Sequence, residues 1–225
     1  MTVTIESASQ GDHHFVEITI DDGLLNVLDL AAVSSIGEGF DLAVAAGHPV
    51  VLAGRSGAFT AGLDLKVLRT GGEAAAELLD AMAAVLVQAV ELPVPLVAAV
   101  NGPAIAAGAM LCLAADHVVM AAGDHQIGFS EVRQGLALPG PAVELAREFL
   151  AADALLPATA HAVTYSPVTA AAVGFVDTVV APSDVVPAAR EAAARLGTLP
   201  SEAYAATKQL VRAPLLARMR AALGG

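Results

Sequence analysis

Short apolar runs of strand length, separated by stretches with helical periodicity, limit the folds that this chain can adopt. Residues 50–53, 96–100 and 117–120 are such runs, and none is long enough for a typical buried helix. Between these runs, residues 74–90 and 107–114 carry apolar side chains at helical spacing. Strands that alternate with helices, without a linker between them, predict an α/β fold. A chain of 225 residues is long enough to bury a sizeable core in one domain.

Other patterns predict further elements on both sides of this central part. Residues 15–20 alternate between apolar and polar side chains, which predicts a strand with one buried face. Gly123 and Asp124 predict a hairpin turn that leads into a strand over residues 126–129. The elements expected after these are a helix over 169–173 ended by Gly174, a strand over 175–180, a helix capped by Ser183 that reaches 196, and a last helix from about 200 that Pro214 interrupts or ends.

Charge and composition exclude several classes of function. The formal net charge is −12 with eleven Lys and Arg in total, so the chain lacks the basic surface that nucleic acids or anionic membranes require. Its single cysteine, Cys112, excludes an internal disulfide, and the six histidines show no metal-ligand spacing, so we expect no metal. Neither a secretory signal nor an apolar run of membrane-spanning length is evident, which predicts a cytoplasmic protein without membrane association.

Three segments place glycine and other small residues between a strand and a helix. They cover residues 54–66, 101–116 and 129–140. Small residues let a ligand approach the backbone, and the free N–H groups of a following helix favour negative charge. Two such N–H groups that converge on one point form an oxyanion hole. A glycine-rich turn is the ordinary explanation for any one segment alone, and the dinucleotide, P-loop and GxSxG motifs are absent.

Together and in this order, the segments resemble those of the crotonase (enoyl-CoA hydratase/isomerase) superfamily. AFTAGLDLK and NGPAIAAGAMLCLAAD resemble its two oxyanion segments, and FSEVRQGLALPG resembles its catalytic-carboxylate segment. The resemblance covers roughly residues 15–213. It implies an α/β spiral of repeated ββα units with short C-terminal helices. We accordingly expect residues 1–197 to form the core domain and residues 198–225 a short helical segment.

The resemblance also implies a set of site residues. The backbone N–H groups of Leu63 and Ala107 would bind the thioester oxygen, and Glu131 would be the general acid/base. The substrate would be an acyl-CoA or enoyl-CoA of fatty acid metabolism, with no other cofactor and no metal. The residues implied to contact this substrate are Asn26, Ala61, Gly62, Asp64, Leu65, Lys66, Gly108, Met110 and Ser130.

One departure from the family pattern affects the expected reaction. Family hydratases carry two glutamates, and the first would fall at Met110 here. Methionine has no proton to exchange, whereas moving a double bond needs only one carboxylate. We therefore expect double-bond isomerisation, or another isomerase or lyase reaction through an enolate, rather than hydration. A catalytically silent acyl-CoA-binding protein remains the alternative, and loss of CoA binding altogether is a third reading.

Two further departures concern CoA and assembly. The loop after residue 20 carries Asp21 and Asp22 instead of a basic residue. Candidates for a CoA phosphate are therefore the only two lysines, Lys66 and Lys208, and three arginines near the motifs, Arg55, Arg69 and Arg133. A solvated surface position is the alternative for each. The sequence ends at Gly225, before the segment with which many relatives cover the acyl pocket. Apolar walls left exposed in this way usually mark an interface. We therefore expect a homotrimer or hexamer.

Overall fold

The computed structural model describes residues 2–223 and has a six-stranded sheet at its centre. Strands β1 and β2 pair in antiparallel register, and all other neighbours in the order β1-β2-β4-β6-β8-β10 are parallel. The strands are β1 Thr2–Gln10, β2 His13–Asp21, β3 Val27–Leu28, β4 Val50–Gly54, β5 Gly62–Leu63, β6 Leu96–Val100, β7 Ala104–Ile105, β8 His117–Ala121, β9 Ile127–Gly128 and β10 Thr178–Val180.

Helices cover both faces of this sheet. They are α1 Leu30–Ala46, α2 Leu65–Thr70, α3 Gly72–Glu91, α4 Ala107–Ala114, α5 Gly140–Phe149, α6 Leu155–Ala158, α7 Pro167–Val173, α8 Val185–Gly197 and α9 Ser201–Ala221. Short 3-10 turns lie at Val132–Gln134 and Pro182–Asp184. Within the described range, residues 2–223, none of these helices combines the length and the apolar character needed to cross a membrane.

A second layer of very short strands explains the repeated unit of the fold. Strand β3 pairs with β5 and β7 pairs with β9, both in parallel, and a bridge between Thr60 and Ala104 joins the two pairs. Each turn of the chain thus contributes one strand to the main sheet, one to this second layer, and then a helix. The order β2-β3-α1, β4-β5-α3, β6-β7-α4 and β8-β9-α5 confirms the predicted spiral of ββα units.

The two faces of the main sheet build two apolar clusters because successive side chains of a strand point to opposite sides. Val50 and Leu52 belong to the larger cluster, which the sheet shares with α1, α3, α4, α5 and α9. Val51 and Ala53 belong to a smaller cluster beneath α8. The central strands β4 and β6 are buried at every position, as parallel strands covered by helices on both faces are.

The last helix packs into the larger cluster. Leu215 and Met219 of α9 are fully buried there, and α9 contacts α5 and α3. Pro214 was predicted to interrupt or end this helix. It lies inside α9, which continues to Ala221, so it does not end the helix. The buried contacts of the flanking residues hold the helix through the position where proline removes a backbone hydrogen bond.

Three local predictions were wrong. No hairpin forms at residues 123–124, because β9 leaves the main sheet and pairs in parallel with β7 in the second layer. Ser183 does not cap the following helix; its hydroxyl donates to the Asp184 carboxylate within a 3-10 turn, and α8 begins only at Val185. Strand β10 is also shorter than expected, since Phe175 and Val176 precede it as buried loop residues.

Candidate active site

The first site segment follows β4 and is held in place by Asn26. The side-chain amide of Asn26 donates to the carbonyl oxygens of Ile20 (2.8 Å) and Phe59 (2.9 Å), and its oxygen accepts from the N–H of Asp22. Asn26 is 0% exposed, with φ at 56°. The structure therefore gives Asn26 a scaffolding role, because backbone groups occupy its amide.

The N–H of Leu63 in β5 points toward the second site segment, residues 101–116. The N–H of Asp64 donates to Leu28 of β3 at 2.9 Å. Successive N–H groups of an extended chain point to opposite sides, so that of Leu63 points away from β3. On that opposite side lies β7, as the bridge between Thr60 and Ala104 shows.

The second segment is fixed on both sides by backbone hydrogen bonds. The N–H of Ile105 donates to Thr60 at 2.9 Å, and the N–H of Ala106 donates to Gly128 of β9 at 3.0 Å. Helix α4 then begins at Ala107, and its first backbone bond runs from Met110 N–H to the Ala106 carbonyl. The N–H of Ala107 belongs to the first turn, whose donors have no acceptor within the helix.

Two glycines, Gly62 and Gly108, allow the first two segments to approach each other closely because they have no side chain. A Cβ atom at Gly62 would lie 2.8 Å from the Ala106 Cβ and 3.4 Å from the Ala107 nitrogen. A Cβ atom at Gly108 would lie 2.8 Å from the Thr60 Cγ2. Both distances of 2.8 Å are too short for carbon atoms, so these positions require glycine. The predicted substrate residue Gly108 is buried against Thr60.

The third segment brings Glu131 to the same edge of the second layer. Strands β5, β7 and β9 run parallel, so the residues that follow them, including Ala107 and Glu131, lie at one edge. The Glu131 carboxylate accepts from the N–H of Ser130 at 2.8 Å. Burial raises the pKa of the Glu131 carboxyl above its ordinary value, although the hydrogen bonds from the Glu131 and Ser130 backbone act in the opposite direction.

The other predicted residues divide between this edge and the structure that supports it. Asp64 caps α2 by accepting from the N–H of Lys66 at 2.8 Å, which leaves Lys66 exposed on the first turn of that helix. The N–H of Ala61 donates to Leu25 at 2.9 Å, and Leu65 is the first residue of α2. Met110 is 4% exposed on α4, one helical turn after Ala107.

Lys208 lies elsewhere. Its ammonium group donates to the Asp116 carboxylate at 2.6 Å, and Tyr204 and Arg212 bond the same carboxylate. Lys208 is 8% exposed. It is therefore part of a buried charge cluster between α9 and the end of α4, and the prediction that it could meet a CoA phosphate is wrong.

Sequence reasoning missed two residues that shape the site. Thr60 accepts at its hydroxyl from Gly62 N–H (3.0 Å) and donates to the Asn26 carbonyl (2.5 Å). Ala106 adopts φ 54° and ψ −116°, a conformation that side-chain-bearing residues rarely occupy. The Thr60 hydroxyl within an otherwise apolar turn was the available signal; nothing in the sequence marks the backbone of Ala106.

Metal binding finds no support in this region. Among residues 2–223, no three or more His, Cys, Asp or Glu side chains come together as a metal site would require. Burial raises the pKa of the Cys112 thiol beyond the physiological range, so that this side chain is an inert core residue.

This spiral of ββα units, with glycine-rich segments that open on one edge, defines the crotonase class of folds. The family model for enoyl-CoA hydratase/isomerase matches residues 13–223. The chain therefore belongs to the enoyl-CoA hydratase/isomerase family.

Individual relatives agree with this assignment. The probable enoyl-CoA hydratase EchA17 of Mycobacterium tuberculosis is 36% identical over 189 residues, which is 80% of this chain and 67% of that protein. The enoyl-CoA isomerase/hydratase fer4 of Mycosarcoma maydis is 39% identical to this chain over 92 residues. That match spans 33% of the fer4 protein.

Solved structures match over nearly the whole chain. An enoyl-CoA hydratase/isomerase family protein of Pseudomonas syringae superposes with a TM-score of 0.93 at 30% identity, covering 99% of this chain and 95% of that one. The enoyl-CoA isomerase of Mycobacterium tuberculosis gives a TM-score of 0.92 at 33% identity, with 99% of this chain covered. These relatives carry both the hydratase and the isomerase names.

Proposed function

We propose that this protein is an enzyme that moves the double bond of an enoyl-CoA thioester through an enolate. The thioester oxygen binds the N–H groups of Leu63 and Ala107, and Glu131 transfers the proton. The observation that carries this proposal is the joint position of three groups at one edge of the second layer. Two are backbone donors of adjoining segments, and the third is a carboxyl group whose pKa burial raises.

The chemistry requires each of these groups for a physical reason. A proton at C2 of a 3-enoyl thioester becomes acidic only if the negative charge that develops on the thioester oxygen is stabilised. Two preorganised N–H donors supply that stabilisation, and removing one such donor typically costs about 10²–10³ in rate. Glu131 accepts the proton from C2, and the electron pair of the broken C–H bond enters the enolate. Glu131 then returns the proton to C4, where the π pair of the C3–C4 bond takes it up as the enolate pair forms the C2–C3 double bond. A raised carboxyl pKa brings the base closer to its operating pH.

Met110 favours isomerisation over hydration. Addition of water needs a second group that exchanges protons while Glu131 acts on the other. The Met110 thioether has no proton to donate, and Met110 is buried among apolar residues of the larger cluster. A single carboxylate suffices to carry one proton from C2 to C4.

The test is to incubate the protein with 2-enoyl-CoA and 3-enoyl-CoA thioesters of several chain lengths. Hydration and double-bond migration are followed separately. We expect migration to dominate, and Glu131→Gln to lower its rate by about 10²–10⁴ with acyl-CoA affinity retained. Rapid hydration that survives in Glu131→Gln would exclude the single-carboxylate mechanism.

A catalytically silent acyl-CoA-binding protein is the second candidate, and the same Met110 favours it. Such a protein keeps the two N–H donors but has no turnover. Tight binding of acyl-CoA, together with no hydration or migration of any enoyl thioester in the panel, would establish this function instead. Lys66, exposed at the first turn of α2, is the residue that we propose for a CoA phosphate in either case.

A further inference from the structure

Ala106 adopts an unfavourable backbone conformation directly before the second oxyanion donor. Its φ of 54° and ψ of −116° are sterically disfavoured for a residue with a Cβ atom, so the surrounding structure must hold this conformation in place. Neighbouring segments hold it there. The Ala106 N–H donates to Gly128, and its carbonyl accepts from Met110.

The value of ψ fixes where the methyl group lies. Around the Cα–C bond of an L-residue, the Cβ atom stands about 120° from the residue's own nitrogen, on the negative side. A ψ of −116° therefore brings the nitrogen of Ala107 almost into eclipse with the Ala106 Cβ. The methyl group lies beside the Ala107 N–H and covers one flank of that donor.

The same methyl group faces the first oxyanion segment. A Cβ atom at Gly62 would lie only 2.8 Å from it, and Ala106 is partly exposed while Ala107 is buried. The Ala106 methyl group thus lies between Gly62, which precedes the first donor Leu63, and the N–H of Ala107, the second donor. An oxygen atom bound to both N–H groups would carry its carbon substituents past this methyl group.

From this geometry we infer that Ala106 determines substrate specificity by narrowing the oxyanion site, so that thioesters branched at C2 are excluded. The inference rests on the proposed function, because it assumes that a thioester oxygen is the bound group. The chemical class of the substrate is then an acyl-CoA that is unbranched next to its carbonyl carbon.

Ala106→Gly tests this inference, with Ala162→Gly as the matched control. Ala162 also has a positive φ (50°) and is buried, but it lies outside the three site segments. Both variants relieve backbone strain, so each should raise Tm by about 2–4 °C. Only Ala106→Gly should raise the ratio of kcat/KM for 2-methyl-3-hexenoyl-CoA to that for 3-hexenoyl-CoA, by about tenfold or more, as the removal of one methyl group allows.

Binding separates this inference from the proposed function. If no variant turns over either thioester, calorimetric affinities for hexanoyl-CoA and 2-methylhexanoyl-CoA replace the kinetic ratio. A preference for hexanoyl-CoA that Ala106→Gly reduces and Ala162→Gly keeps supports the specificity role, although the protein is then not an isomerase. An unchanged ratio in Ala106→Gly, in turnover or in binding, overturns it.

Discussion

Glu131, the proposed general acid/base, has an energetic cost to the fold. Its carboxyl group is largely buried, and its closest described donors are backbone N–H groups, not a cationic side chain. Desolvation without an opposite charge favours the protonated form. The same desolvation would therefore both tune Glu131 for its proposed proton transfer and lower the stability of the folded chain.

Glu131→Gln should accordingly stabilise the protein at neutral pH. A carboxyl whose pKa is higher in the folded than in the unfolded chain supports folding most when protonated, and that support is lost as pH rises through the folded pKa. The free energy of unfolding of Glu131→Gln should exceed that of the wild type at pH 7–8, where the carboxyl of the unfolded chain is ionised. The difference should shrink toward pH 4. Urea unfolding across this range measures it, and a less stable variant at pH 8 would contradict the raised pKa.

Met110→Glu tests the other residue on which the proposed reaction depends. The new carboxyl group would stand one helical turn after Ala107, where family hydratases carry their first glutamate. We expect hydratase activity to rise from a low baseline, and stability to fall by about 1–3 kcal/mol because the carboxyl enters an apolar pocket. Met110→Gln provides the control: it costs similar stability but adds no proton-exchanging group, so its hydration rate should stay at the baseline.

At the scale of elements, α9 is fixed to the rest of the fold by charge as well as by apolar packing. Lys208 of α9 reaches Asp116, which also accepts from the N–H of Leu96 at the start of β6. Burial lowers the pKa of the Lys208 ammonium group, and the Asp116 carboxylate opposes that effect. The pair therefore ties together α9, the end of α4 and the main sheet.

The two lysines of the chain provide a matched pair for testing this connection. Lys208→Met should destabilise the protein by about 3–5 kcal/mol, because it leaves the buried Asp116 carboxylate short of its closest cation. Lys66→Met, the same change on an exposed side chain, should alter stability by less than about 0.5 kcal/mol. Thermal and urea unfolding measure both. Equal effects would show that the buried pair contributes little.

The sequence predicted elements well where apolar periodicity was strong and failed where pairing partners were distant. The runs that became β4, β6 and β8 matched the structure within one residue. Strand β1 was not predicted because six of its nine residues are polar and most are exposed. Helix α1 was missed because glycine and serine interrupt its pattern. Turn residues at 123–124 indicated a local hairpin, but the partner of β9 is β7, about twenty residues earlier.

The same distinction applies to the site. Its three segments could be found from their composition and family resemblance. The scaffolding role of Asn26 and the conformation of Ala106 depend on contacts between segments, for which the local sequence gives no signal. The joint position of the donors follows from the second layer of short strands, which is too short to be recognised from periodicity.

At the scale of the molecule, the outer face of α9 carries apolar side chains without cover from the described chain. Leu210 is 79% exposed and Val211 is 65% exposed. We propose that this face contributes to the interface of a homotrimer, since monomers rarely expose adjoining apolar side chains in this way. Closed symmetry would cover the same face on each copy.

Light scattering tests this assembly. The wild-type protein should have about three times the 22.5 kDa mass of one chain, and Leu210→Glu should shift it toward the monomer because a carboxylate resists burial at an interface. Leu42→Glu, on the exposed side of α1, is the control and should leave the mass unchanged. A wild-type monomer at micromolar concentration would contradict the proposal.

The order of strands in the main sheet has a consequence for synthesis on the ribosome. After β2, each new strand pairs in parallel beside the strand that the preceding turn supplied. A growing chain can therefore add one ββα turn at a time onto a surface that already exists, and pairing never waits for a strand near the C-terminus. The segments that carry Leu63 and Ala107 would be in place before Glu131 emerges. Helix α9, which follows these strands in the chain, then returns to pack on α3 and α5.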